Sequence, residues 1–227
     1  HLPPEIGDPA VADTYSPYGY SRLNSGEISY LFAGKFAKIM EPLQIPDYRA
    51  FRYFNVTLFG FLLLLAVYKK PFRLILLPLL LSPQIWYIFS YFNSEGFAMV
   101  VILLIAYQMV VPESAWNRLL STEGKRCGWW ELPGIVVLLG VLLLLKPNFY
   151  FFGIYIFCYF VWRLFFKRTE FSKKTVVRVI LVALAGIAVF AGVRIVYSSI
   201  NDFEKKARIY EAREKYAEEL YNPLTPL

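Results

Sequence analysis

The sequence predicts an all-α fold: a polytopic transmembrane helix bundle of about six spans, with a juxtamembrane amphipathic helix and a soluble C-terminal helix. Three observations predict it. Of 227 residues, 57% are hydrophobic and 18% are charged, where a soluble domain carries about a quarter charged residues. Mean hydropathy is +0.45, and the charges sit in a few clusters between apolar runs long enough to match a bilayer core. Finally, lysine and arginine alternate sharply between successive connecting loops.

Residues 1–50 read as an external segment. Its first part is rich in Pro3, Pro4, Gly7, Asp8, Pro9, Pro17 and Gly19, punctuation that suits a polar loop without regular structure. From Ile28 to Met40, Ile28, Leu31, Phe32, Phe36, Ile39 and Met40 recur at helical spacing with Lys35 and Lys38 opposite. The spacing predicts an amphipathic helix over 28–40, too short to span, with Ser25 as its N-cap.

Residues 51–200 carry the predicted bundle, with spans at about 51–68, 71–92, 95–111, 132–145, 149–166 and 176–200. The second contains Pro78 and Pro83, which neighbouring helices and hydroxyls can accommodate in a membrane. Asn93 and Ser94 form the turn before the third. The pair Trp129-Trp130 at the edge of the fourth suits an interfacial belt. In the sixth, Ala188 and Gly192 offer a small-residue face for close helix packing. Residues 201–227 turn abruptly to mixed charge and read as an external helical tail.

Eleven lysines and arginines fall in three alternate loops: Lys69, Lys70 and Arg73; Arg118, Lys125 and Arg126; Lys167, Arg168, Lys173, Lys174 and Arg178. The other two turns hold one, Lys146. Positive charge favours the cytoplasmic side, so the expectation is a multi-pass cell-membrane protein with the N-terminal segment and the tail non-cytoplasmic. The formal charge of +7 then belongs to membrane flanks, not to a stripe for nucleic acid. Cys127 and Cys158 fall at different depths with no clustered partner, and the sole histidine is His1. Neither a metal constellation nor a Ser-His-Asp triad is therefore expected. A chain beginning at His1 reads as a fragment or a processed product.

On that topology Arg52, Asn93, Glu95, Lys146 and Arg194 gather at the non-cytoplasmic helix ends. Charges there face a partner or a wet cavity, or snorkel to the interface. Three cations and one anion at one depth suit an anionic headgroup or phosphate, while Glu95 also satisfies a helix N-terminus. Glu5, Asp8 and Asp13, followed by Tyr15, Tyr18 and Tyr20, are the loop's acidic candidates, as a general base near the surface or as a plain solvated loop. The sequon at Asn55 lies where a span begins and reads as incidental.

A larger pattern joins these pieces: an acidic external loop, the short helix with Tyr30-Leu31-Phe32-Ala33-Gly34-Lys35-Phe36, and Arg52-Tyr53-Phe54-Asn55 at a span start. The turn Tyr91-Phe92-Asn93-Ser94-Glu95-Gly96-Phe97 and Lys146-Pro147 complete it. Over roughly residues 1–165 this resembles the GT-C type of membrane glycosyltransferases, and a group of bacterial multi-pass proteins related to them. The resemblance implies a polyprenyl-phosphate-linked sugar donor, a glycan or lipid acceptor, and work on the outer face of a cell envelope. It puts the catalytic base at Asp8 or Glu5, and the donor phosphate on Lys146, Arg52 or Arg194. Glu95 and Asn93 would line the mouth. No cofactor is assigned, with a divalent cation left open. The competing expectation is a non-catalytic membrane subunit or scaffold.

Overall fold

The computed structural model describes residues 28–120, 128, 130–166 and 173–200. Among them the regular structure is helical throughout, with no strand. Ile28–Ala191 form one compact unit, while residues 192–200 belong to a second. The charged tail and the N-terminal loop lie outside the described residues.

Helix α1 spans Ile28–Met40, the bounds its apolar spacing predicts. Ile28, Ser29 and Ala33 are buried on the bundle, whereas Leu31, Phe32 and Ile39 stay 55%, 45% and 69% exposed. The stripe is thus divided between the bundle and the outside. A 3-10 turn at Glu41–Leu43 follows, closed by Gln44 in the left-handed region at φ 54°. Ser25, the predicted cap, is outside the described residues.

Helix α2, Asp47–Tyr68, starts behind Pro46, four positions before the predicted Phe51. Its end is tied by Arg73, whose Nε donates to the Ala66 carbonyl at 2.7 Å and Nη2 to Val67 at 2.8 Å. These are carbonyls that a helix end leaves without intrahelical partners, and a cation there complements the dipole.

The second predicted span is corrected. It is two helices, α3 at Lys70–Leu80 and α4 at Pro83–Ser90, bent by 95°. Pro83 has no N–H to give the Leu79 carbonyl, so the α-helical ladder stops there. Local groups satisfy the break: Leu79 accepts from the Ser82 N–H at 3.0 Å, and Leu80 from the Trp86 indole at 2.8 Å. Phe59 and Leu62 of α2, Phe72 and Leu76 of α3, and Ile85 and Phe89 of α4 form the centre of the core with Val100 and Leu103.

Helix α5 is Ser94–Val110 and a short α6 is Ala115–Leu120. Helix α7, Glu131–Leu143, ends ahead of a 3-10 turn at Pro147–Phe149. Helix α8 is Phe151–Phe166 and α9 is Lys173–Ile200. Phe72 meets Tyr107 with ring centroids 5.7 Å apart, so the start of α3 lies beside the end of α5. Helices α7 and α9 cross through glycines: a Cβ on Gly140 would stand 2.7 Å from Val189 Cγ1 and 3.0 Å from the Gly186 carbonyl. The small-residue contact is therefore Gly140 with Gly186, not Ala188 with Gly192. Ala188 is exposed and Gly192 has open space, because both lie on the far side of α9 from Gly186.

Among the described residues two helices are long and apolar enough to cross a membrane, Tyr48–Tyr68 and Lys173–Ser199, with a third crossing if the bent pair is one span. That is fewer than six. The 17 residues of α5 reach about 25 Å and the 13 of α7 about 20 Å at ~1.5 Å per residue, short of a ~30 Å core. The outer surface nonetheless suits lipid. Val67, Leu74, Leu81, Phe157, Phe166 and Leu184 are between 56% and 81% exposed, an apolar surface spread over many helices rather than the single patch of a soluble monomer.

Candidate functional site

Four elements meet at one end of the Ile28–Ala191 unit. The Ile28 N–H donates to the Leu144 carbonyl at 3.5 Å, fastening the start of α1 to the end of α7. Tyr30 packs on Phe92, Phe32 on Phe97, Phe36 on Phe54 and Phe51 on Phe92, with centroids 4.9–5.6 Å apart. These rings join α1 to the starts of α2 and α5. Edge and stacked pairs each contribute about 0.5–1.5 kcal/mol beyond their burial.

Asn55 is the polar centre of this end and is fully buried. Its Nδ2 donates to the carbonyls of Tyr91 at 2.8 Å and of Ile88 and Asn93 at 3.3 Å. Asn93 caps α5, accepting from the Gly96 N–H at 2.9 Å, and its own Nδ2 donates to Ile88 at 3.2 Å. Gly96 fits closely beside it: a Cβ there would stand 3.0 Å from Asn55 Nδ2. The Arg-x-x-Asn segment and the Asn93–Gly96 turn are thus one interlocked unit, in which Asn55 fixes the backbone that carries Glu95. The burial of Asn55 also closes its sequon to modification in the fold.

Of the predicted residues, Arg52 is exposed, and Glu95 and Lys146 are half-buried. All three stand on elements that gather at this end, Glu95 in the first turn of α5 and Lys146 just ahead of the 3-10 turn. None of the three pairs with another described residue. Asn93 is in place but is used as a cap. Arg194 is half-buried and belongs to the second unit. Asp8 and Glu5, with Asp13, lie outside the described residues. Among the described residues no group of three or more His, Cys, Asp or Glu stands close enough to hold a metal ion.

A second polar cluster ties the other end of α5 and is absent from the sequence reading. Asn117 Nδ2 donates to the carbonyls of Val111 at 2.6 Å, Met109 at 3.1 Å and Gln108 at 3.2 Å. Tyr159 donates to Met109 at 2.6 Å, and buried Arg163 donates to Asn117 Oδ1. Nearby, Arg118 pairs with Glu131. A small cavity of about 20 Å³ between α5, α7 and α8 is lined by Ile105, Gln108, Trp116, Leu139 and Ile156 among others. An arginine within a run of hydrocarbon length is costly unless engaged, and that was the available signal for Arg163. Compared with protein-family models, characterised proteins and solved structures, the chain matches none.

Proposed function

We propose that this chain is a multi-pass membrane protein of glycosyltransferase type, transferring a sugar from a polyprenyl-phosphate-linked donor at the non-cytoplasmic surface. The observation that carries the reading is the outer-end arrangement. Arg52 and Glu95 stand on helix starts drawn together by Asn55 and the aromatic cluster, and Lys146 follows the Leu144 carbonyl that holds the start of α1; none of the three has an ion pair to another described residue. Two cations at a membrane surface give a phosphate-binding edge. Asp8 or Glu5 is the base that deprotonates the acceptor hydroxyl.

The orientation is part of the proposal, with basic loops in the cytoplasm and the N-terminal loop and tail outside. Four contacts support it. Phe72–Tyr107 and Arg163–Asn117 bring the basic-loop ends of α3, α5 and α8 toward one side. Ile28–Leu144 and the Tyr150 hydroxyl on Leu143 at 3.0 Å join ends assigned to the other.

The test is transfer by the full chain in proteoliposomes, using polyprenyl-phosphate donors with labelled sugars. Activity should fall about 10²–10⁴-fold in Asp8→Asn or Glu5→Gln, the range for loss of a general base. Wild-type protein that consumes none of the donors refutes the reading. A non-catalytic subunit then takes its place, favoured by α9, of whose best 18-residue window only 11% is buried.

A further inference from the structure

The basic end of the molecule divides its cations into two groups. Arg73, Arg118 and Arg163 are used internally, on the α2 carbonyls, Glu131 and Asn117. Lys173, Lys174 and Arg178 are exposed and pair with no other described residue. They occupy the first two turns of α9, where the first turn contains no acidic residue. Cations at a helix N-terminus stand at the unfavourable end of the dipole, and like charges one turn apart repel. Among the described residues no carboxylate pairs with them, and an external anion relieves both.

The surface beyond this cluster is apolar. Val177, Ile180, Leu181, Leu184 and Ile187 are 51–59% exposed, so charge and open hydrocarbon surface follow one another along one helix long enough to cross a membrane. We infer that the Lys173–Lys174–Arg178 cluster binds the headgroup of an anionic phospholipid, whose acyl chain lies along Val177, Leu181 and Leu184. Charge complementarity selects the occupant: the cations need an anion, and the adjoining face needs a chain attached to it. This site is at the opposite end of the bundle from the proposed transfer site and does not depend on that reading.

The full chain, purified in detergent with equimolar dioleoyl phosphatidylglycerol and dioleoyl phosphatidylcholine, tests this by native mass spectrometry of bound lipid. Wild-type protein should retain phosphatidylglycerol preferentially. The preference should fall about fivefold for each cation removed in Lys173→Gln, Lys174→Gln and Arg178→Gln, and survive in Lys173→Arg with Lys174→Arg. Raising the salt concentration must weaken it in wild-type protein as well, a measurement that needs no variant to fold. Equal retention of both lipids by wild-type protein, or an undiminished preference in the glutamine variants, overturns the inference.

Discussion

Replacing Asn55 with alanine removes the one side chain that ties three carbonyls of the α4–α5 junction to α2. The two protons on Nδ2 are shared among three acceptors, so the carbonyls do not count equally. Ile88 keeps a donor, because Asn93 Nδ2 reaches it at 3.2 Å. Tyr91 and Asn93 lose theirs from a fully buried donor. A buried group left unsatisfied costs about 1–3 kcal/mol, and two such groups cost about 2–6 kcal/mol. For a chain of this length that corresponds to a fall in Tm of roughly 4–24 °C. Asn55→Asp should cost at least as much, since it turns an oxygen toward three carbonyl oxygens. Tryptophan-fluorescence melts in micelles read the effect. A midpoint within about 2 °C of wild type for both variants would refute the assignment of Asn55 as the clamp.

Two further predictions rest on other contacts. Gly140→Leu should force α7 from α9 and cost about 1–3 kcal/mol or more, because even a Cβ meets Val189 at 2.7 Å. Gly192→Leu, in open space, should melt with wild type, and equal melting of the pair would contradict the crossing. Arg163→Met keeps the apolar stem but removes the donor to Asn117, with an expected loss of about 1–3 kcal/mol; an unchanged melt would show the α5 end to be held without it.

The sequence was most readable where a local rule determined the outcome. Helix α1 follows from its spacing, and most helix ends fall where charge or Pro interrupts an apolar run. The failures required knowledge of neighbours. Pro78 and Pro83 were compatible with a continuous span, and the bend rests on Ser82-Pro83 starting a new helix while Trp86 covers a freed carbonyl. Small residues at 186, 188 and 192 look alike in sequence; the facing glycine at 140 decides which of them packs. At the candidate site, Asn93 and Glu95 were readable from their turn. The role of Asn55 was hidden because its carbonyl partners lie 33–38 residues away.

The proposed function requires a lipid-linked phosphate to bind where α1 meets the starts of α2 and α5. The direct measurement is binding of undecaprenyl phosphate to the full chain in micelles, read by native mass spectrometry for wild type, Lys146→Gln and Arg52→Gln. Saturable binding is expected in wild type, about tenfold weaker in each variant, at ~1.4 kcal/mol for each decade of affinity. No binding by wild type, or equal binding by all three proteins, would contradict it.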